Sequence, residues 1–325
     1  MSLFEAVMGS ERRLVVPLMG SVGARLAGHE LKSCLKSPDQ HIEALETLVT
    51  HFSPDALFPI MDLTLEAEAL GLAVEFPRDE APSVAEHPIS SLEDLNNLWP
   101  PDPWNSGRLP FFLEVAERMK DISSAMTGAY VIGPFTLAAE LAGAEDFAMR
   151  AITDPDFVHA MLRFSCDAVS GYAGLLAERT EAVVILEPTS VMLSPDHFSI
   201  FINPALTRLT GIIRDCGAYP VLHVCGDSTH LLERMADSGA DGFSLDSQVD
   251  LAQAATKILP NQVLMGNIAS VEVMLEMKAG EVEKACRRLL GEMRDVPNFV
   301  LSSGCDLPID TPEDNIEVLI GSVHG

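Results

Sequence analysis

Three residues of this 325-residue chain have side chains typical of a zinc site. One residue separates His223 from Cys225, and Cys305 follows 80 positions after Cys225. One imidazole and two thiolates form a borderline-soft set of donors that suits Zn²⁺, and three protein ligands leave open the fourth position that a catalytic zinc uses. The spacing alone leaves a second interpretation, in which the three residues line a core, because free cysteine is among the most buried residue types.

The chemistry of such a site follows from its thiols. A free thiol has a pKa of about 8.5, and coordination to zinc removes its proton at neutral pH. The resulting thiolate is a nucleophile for a methyl group on a good leaving group. A methyl-Co(III) corrinoid provides one because heterolysis releases Co(I), and the protein supplies Lewis acidity, positioning and a dry cavity. These residues therefore suit transfer of a methyl group from a corrinoid to a thiol.

Eight short apolar runs predict the strands that would position these residues. Each run is almost continuously apolar, as in a parallel strand covered on both faces, and stretches of helical periodicity separate the runs. The alternation favours an α/β fold, specifically a (β/α)8 TIM barrel, whose sites lie at the C-terminal ends of the strands. The predicted strands are Leu14–Met19, Ala56–Met61, Ala129–Ile132, Ala182–Leu186, Tyr219–Val224, Gly242–Leu245, Val263–Met265 and Phe299–Leu301.

The predicted metal ligands lie where two of these strands end. His223 and Cys225 close the fifth strand, and side chains two residues apart on a strand point to the same side. Cys305 follows the eighth strand. Gly226 and Gly304 adjoin the ligands and let the backbone turn into a loop. The sequence therefore predicts a zinc site formed by His223, Cys225 and Cys305, and the other four cysteines are expected to be packing residues.

One connection departs from the regular alternation. After the second predicted strand, residues 72–126 contain several prolines and two tryptophans, Trp99 and Trp104. We expect this stretch to be an insertion, a hairpin with a loop over the mouth of the barrel. Because no repeat or low-complexity linker interrupts the chain, residues 1–325 are predicted to form a single domain.

Charge and hydropathy exclude several classes of function. Lys and Arg total 21 against 48 Asp and Glu, which gives a formal net charge of −27. Such a chain repels phosphate backbones and anionic lipids, so neither nucleic acid nor a membrane is expected as a partner. No apolar run approaches the roughly 18–20 residues that span a bilayer, and charges interrupt the first 16 residues. We therefore expect a cytoplasmic location.

The motifs together resemble the uroporphyrinogen decarboxylase superfamily, and specifically its branch of methylcobalamin:coenzyme M methyltransferases. The resemblance implies a TIM barrel, with His223, Cys225 and Cys305 matching the zinc ligands of that branch. It covers most of the chain and is clearest after Glu181. The matching segments are Glu68–Gly71, Gly133–Leu137, Leu193–Phe198, His223–Gly226, Met265–Ile268, Ser303–Cys305 and Thr311–Asn315.

A departure from the decarboxylases separates the two activities. These enzymes have an arginine-rich segment near the first strand, of the form Met-Arg-Gln-Ala-Gly-Arg, that handles the carboxylates of the porphyrinogen. The corresponding residues 19–24 read Met-Gly-Ser-Val-Gly-Ala, and Arg25 is one position out of register. A substrate with several carboxylates would meet a strongly acidic protein that lacks this clamp, which argues against the decarboxylase.

Four further residues are candidates for the site. Asp62 matches the active-site aspartate of the decarboxylases, and the alternative is a cap for the helix that begins near residue 65. Glu187 ends the fourth strand and could be a fourth zinc ligand, a group behind the ligands or a structural ion pair. Gly133 and Thr136 flank the start of a helix whose free N–H groups could bind the anionic group of an acceptor, or could form a tight turn with Thr136 as the cap.

We therefore expect a zinc-dependent methyltransferase that uses a methylated corrinoid, on a small corrinoid protein or as free methylcobalamin. The acceptor is a small thiol, and the resemblance favours coenzyme M over homocysteine. The alternatives are a corrinoid:pterin methyltransferase of the same superfamily, a lyase like uroporphyrinogen decarboxylase, and a corrinoid-binding protein without catalysis. An open three-ligand set favours an enzyme over a binding protein.

Overall fold

The computed structural model describes residues 1–323, so the predicted domain extends two residues beyond the described part. Seven parallel strands form one sheet in the order β1-β4-β5-β6-β7-β8-β9, each beside the next. The strands are β1 Ala56–Leu57, β4 Met126–Ile132, β5 Ala182–Leu186, β6 Tyr219–Val224, β7 Gly242–Leu245, β8 Val263–Ile268 and β9 Phe299–Ser303. An α/β fold with a parallel sheet is thus confirmed, and seven of the eight predicted strands lie in it.

Helices occupy the connections between these strands. The longest, α10, lies in the connection from β4 to β5, after α8 and α9, and buries one side against the sheet. The α-helices are α1 Leu3–Met8, α2 Gly20–Leu26, α3 Leu31–Cys34, α4 Pro38–Phe52, α5 Leu65–Ala69, α6 Leu92–Leu95, α7 Leu109–Ile122, α8 Pro134–Ala142, α9 Ala144–Thr153, α10 Pro155–Ala177, α11 Pro195–His197, α12 Asn203–Asp215, α13 Leu232–Met235, α14 Leu251–Ala254, α15 Ala279–Glu292 and α16 Glu313–Gly321. Short 3₁₀ helices span Pro188–Met192, Thr229–Leu231 and Ala236–Ser238, and π-helical turns span Phe198–Ile202 and Ser270–Leu275.

The first predicted strand, Leu14–Met19, is reduced to a bridge. Val15 pairs with Leu301 of β9 in parallel, and the N–H of Val16 donates to the carbonyl of Leu301 at 2.8 Å. On the other side, the carbonyl of Val15 accepts from the N–H of Asp55, just before β1, at 3.3 Å. Pro17 has no N–H to continue the pairing, and Pro59 has the same effect after β1, which is shorter than predicted.

The connection after β1 contains a small second sheet. Strands β2 Val74–Glu75 and β3 Ser83–Val84 pair antiparallel, as expected for a hairpin within residues 72–126. Helix α7 lies in the same stretch, but it packs against β4 and α4 beside the main sheet. Trp99 and Trp104, between the hairpin and α7, have 80% and 54% of their surface exposed.

Alternate residues of several strands belong to two different apolar clusters. We call the smaller cluster the inner core; its buried members are Leu3, Val7, Val16, Ala56, Tyr130, Val184, Leu186, Val221, Val263 and Val300. The outer core lies between the sheet and the helices. In β6, Leu222 and Val224 belong to the outer core and Val221 to the inner. The period of two therefore turns His223 to the same side as Val221.

Within residues 1–323, no helix combines the length and apolar character needed to cross a bilayer.

Candidate metal centre

The side chains of His223, Cys225 and Cys305 meet at the C-terminal ends of β6 and β9. Nε2 of His223 lies 3.0 Å from Sγ of Cys225 and 3.8 Å from Sγ of Cys305, and the two sulfur atoms are 3.4 Å apart. Among the described residues, this is the one group of three or more His, Cys, Asp or Glu whose ligand atoms lie close enough to share a metal ion. Two fragments 80 residues apart in sequence thus form a single cluster.

These distances fit a tetrahedral zinc. With Zn–S and Zn–N bonds of about 2.3 and 2.0 Å, tetrahedral angles place two sulfur ligands about 3.8 Å apart and a sulfur about 3.5 Å from a nitrogen. The three observed separations differ from these values by about half an ångström or less, which small side-chain rotations cover. His223 is buried, whereas Cys225 and Cys305 are partly exposed, so the open side of the cluster lies at the sulfur atoms.

Local backbone geometry explains how one strand supplies two ligands. His223 lies within β6 and Cys225 just after its end, two positions on and on the same side. Gly226 then has φ +80°, in the left-handed region that favours glycine, and its N–H donates to the carboxylate of Asp246 at 3.0 Å. The chain can therefore leave the sheet directly after the second ligand.

Hydrogen bonds also fix the third ligand. The N–H of Cys305 donates to Oγ of Ser270 at 3.2 Å, and the same hydroxyl donates to the carbonyl of Cys305 at 2.9 Å. Gly304 lies against the chain after β7, where a Cβ atom would come within 2.7 Å of the backbone nitrogen of Ser247. Cys305 is thus held by contacts from two neighbouring connections.

The two thiols have opposite acid–base behaviour. The hydrogen bond from Cys225 lowers the pKa of Cys305. The same bond and burial raise the pKa of Cys225. The two thiols therefore form one hydrogen-bonded pair, in which either sulfur can be the donor.

The carboxylate of Glu187 is not among the ligand atoms that cluster with His223, Cys225 and Cys305. Its carboxylate accepts hydrogen bonds from the backbone N–H of Phe135 at 3.1 Å, and from the N–H and the hydroxyl of Thr136 at 2.6 and 2.5 Å. These are the free donors at the start of α8, for which the sequence left open either an acceptor anion or a tight turn. Glu187 takes that place itself, and a Cβ on Gly133 would come within 2.1 Å of its carboxylate oxygen. Burial raises the pKa of Glu187 to about 7.

Asp62 forms a buried ion pair. Its carboxylate lies 2.6 Å from a guanidinium nitrogen of Arg108, and accepts from the N–H and hydroxyl of Thr64 at 2.8 and 2.7 Å. Arg108 also lies 2.6 Å from Glu68 and stacks over Phe76 of the hairpin connection. Asp62 stabilises the turn before α5, but Thr64 is the residue at the N-cap position. The side chain of Asp62 thus accepts hydrogen bonds from the N-cap residue and is not itself the helix cap.

Other buried carboxyl groups were not singled out by sequence reasoning. Glu66 accepts from the N–H of Ile132 at 3.0 Å, while its second oxygen is buried without a partner in the described structure. Burial raises the pKa of Glu66 to about 8 and that of Glu140 to about 9. Only the pattern Glu66-x-Glu68, which lies within α5, could have drawn attention to Glu66, and such a pattern is common on helix surfaces.

A cavity of about 810 Å³ opens beside Cys305. It lies between the connections after β7 and β8 and helix α15, and its polar lining includes Asp246, Asn267, Ser270 and Arg288. Of the three residues of the metal cluster, Cys305 is the one that lines this cavity.

The fold and the site together describe a parallel α/β protein with a His-Cys-Cys cluster at its strand ends. The family model of uroporphyrinogen decarboxylase (URO-D) matches residues 10–325. The chain therefore belongs to the uroporphyrinogen decarboxylase family.

Relatives with two different activities match the chain at similar sequence identity. A methylcobamide:CoM methyltransferase of Methanosarcina acetivorans is 27% identical over 266 residues, which cover 80% of this chain and 76% of that protein. A uroporphyrinogen decarboxylase of Gloeobacter violaceus is 25% identical over 304 residues, which cover 90% and 85%. A solved methyltransferase structure from Methanosarcina mazei superposes with a TM-score of 0.88 at 22% identity, over 98% of this chain and 96% of that one. The superposition shows that the fold is shared.

Proposed function

We propose that this protein is a zinc-dependent methyltransferase that moves a methyl group from a methylated corrinoid to a small thiol such as coenzyme M. The observation that carries the proposal is the convergence of His223, Cys225 and Cys305 within 3.8 Å of one another. Sequence identity to the relatives does not distinguish a methyltransferase from a decarboxylase. The proposal therefore depends on the three side chains that could bind a metal. A decarboxylase has no need of two thiols and an imidazole that fit a metal.

The first-strand region also favours the methyltransferase over the decarboxylase. Arg25 directly follows the segment that corresponds to the arginine clamp of the decarboxylases. It donates to the backbone carbonyls of Ile309 and Thr311 at 2.7 and 3.0 Å. Its guanidinium is committed to the chain that follows β9. A polycarboxylate substrate would therefore not find a free arginine at this position.

We propose further that residues 1–325 form one domain, a (β/α)8 barrel with residues 14–19 as its first strand. The bridge from Val15 to Leu301 and the hydrogen bond from Asp55 to Val15 support closure between β9 and β1. Residues 72–126, with the hairpin β2–β3, would be the insertion after the second strand. The exposed Trp99 and Trp104 are on this segment.

In this proposal, the candidate residues have different roles. His223, Cys225 and Cys305 would hold zinc, which when bound supplies a Lewis acid that keeps an acceptor thiol deprotonated at neutral pH. The cavity beside Cys305 would admit the acceptor and a methyl donor, free or on a small corrinoid protein. Glu187, with Gly133 and Thr136, would fix α8, and Asp62 would fix the turn before α5.

The first experiment is metal analysis of purified protein after exhaustive dialysis, together with a methyl-transfer assay. We expect about one zinc per chain, and loss of methylcobalamin absorbance that depends on added coenzyme M. His223→Ala should lose both the metal and the activity, whereas His51→Ala, at an exposed helix position, should retain them. Protein that holds no zinc and takes up none when it is added would refute the proposed function.

A further inference from the structure

Ser244 lies beside His223 on the neighbouring strand. Strands β6 and β7 are parallel, and their register places His223 directly opposite Ser244. The flanking residues Phe243 and Leu245 point into the outer core, so the side chain of Ser244 lies on the same face of the sheet as the imidazole.

The two side chains are in hydrogen-bond contact. Nδ1 of His223 is 2.9 Å from Oγ of Ser244, and both residues are buried, with 1% and 4% of their surface exposed. The other ring nitrogen, Nε2, faces the sulfur of Cys225 at 3.0 Å. If Nδ1–H donates to the serine hydroxyl, the lone pair is on Nε2 and points at the two thiols, which is the arrangement that a metal ligand needs.

The same segment also supports the second ligand. Asp246, two residues after Ser244, accepts the N–H of Gly226 at 3.0 Å, directly after Cys225. Asp246 is itself tied by its carbonyl to the side chain of Asn267 at 2.8 Å. Ser244 and Asp246 thus contact His223 and Gly226 on the neighbouring strand and its extension. These contacts hold the backbone and the imidazole around the two ligands in place.

We propose that Ser244 is a positioning residue for the metal site: its hydroxyl accepts the Nδ1 proton of His223 and so aims Nε2 at the cluster with Cys225 and Cys305. This inference rests on the metal site proposed above. Partners of this kind behind a ligating histidine change metal affinity by about 10–100-fold when they are removed. A serine that only satisfied a buried polar group would affect folding stability and leave metal affinity unchanged.

The test measures zinc affinity of the full chain by competition with a chelator, after the metal has been stripped, and the visible spectrum of the Co²⁺-loaded protein. We expect Ser244→Ala to bind zinc about 10–100-fold more weakly than wild type and to change the Co²⁺ spectrum. Ser244→Thr, which keeps a hydroxyl, should recover most of the affinity. The matched control is Ser165→Ala, a buried serine of α10 whose hydroxyl has no partner in the described structure.

The outcomes separate this inference from the function on which it rests. Wild-type protein without zinc affinity contradicts the metal site itself. Wild-type protein that binds zinc, with His223→Ala impaired and Ser244→Ala equal to Ser165→Ala, overturns only the role of Ser244. A folded Ser244→Thr, checked by circular dichroism, that binds as weakly as Ser244→Ala would also overturn it, because the loss would then follow packing and not the hydroxyl.

Discussion

Glu187 and Thr136 are joined by two short hydrogen bonds at the start of helix α8. One carboxylate oxygen accepts both the backbone N–H and the hydroxyl of Thr136, at 2.6 and 2.5 Å. The buried carboxylate thus lies at the positive end of a helix. This is a position where an external anion often binds. Here the connection after β5 supplies that anion to the helix after β4.

The first prediction follows from this contact. Glu187→Ala would leave the buried N–H groups of Phe135 and Thr136 without acceptors, and we expect it to lower the free energy of unfolding by about 2–4 kcal/mol. Glu187→Gln keeps one acceptor oxygen and should cost clearly less. Urea unfolding followed by circular dichroism measures both. An unchanged urea midpoint for Glu187→Ala would show that water replaces the carboxylate without cost.

A second prediction concerns the third metal ligand. Cys305→Ala should lose zinc during dialysis and lose methyl transfer, yet retain its circular dichroism spectrum, because one missing ligand lowers metal affinity before it disturbs the core. The control is Cys166→Ala, a buried cysteine of α10 whose sulfur donates to the backbone carbonyl of Ala205 at 3.6 Å. Elemental analysis gives the metal content. Full activity in the Cys305 variant would refute the mechanism.

Charge neutralisation around Asp62 gives a third prediction. The side chain of Asp62 is fully buried, and Arg108 is only 11% exposed. Arg108→Met would leave the carboxylate unpaired, and we expect a loss of about 3–5 kcal/mol in the free energy of unfolding. Adding Asp62→Asn to that variant should recover part of the loss, since the partly exposed carboxylate of Glu68 is then the unpaired charge left by Arg108. Thermal and urea unfolding of the single and double variants test this; equal stability of the two would contradict it.

The pH dependence of stability is the fourth prediction. Burial raises the pKa of Glu66 from 4.5 to about 8, so the folded state holds this proton more tightly than the unfolded state does. The contribution to stability is fully present below the unfolded pKa and is lost as the pH rises towards 8, with a slope of about −1.4 kcal/mol per pH unit for one group.

Urea unfolding between pH 5 and pH 8 measures this slope. Glu66→Gln should reduce the slope of the free energy of unfolding against pH by the contribution of one group. Glu46→Gln, at an exposed helix position, should leave this slope unchanged. Identical slopes in the wild type and Glu66→Gln would mean that Glu66 is already ionised in the folded protein.

The sequence by itself predicted which three side chains meet at the strand ends, and it predicted the order of the strands. Seven apolar runs could be assigned to strands of the sheet because parallel strands are buried on both faces and leave a local signature. The pair His223 and Cys225 could be placed on one side because the strand period is local as well. Cys305 could be added because strand ends of a parallel sheet lie at one edge.

Only the tertiary structure decided which groups support that site. Ser244 contacts His223 through the register of two strands, Glu187 fills the start of α8 across a connection, and Arg108 reaches Asp62 from 46 residues away. Such partners depend on rotamers and distances between separate elements, and no local pattern encodes them. The shortening of the first two predicted strands has a local cause, in Pro17 and Pro59, but its extent was set by which neighbouring N–H and carbonyl groups came within reach.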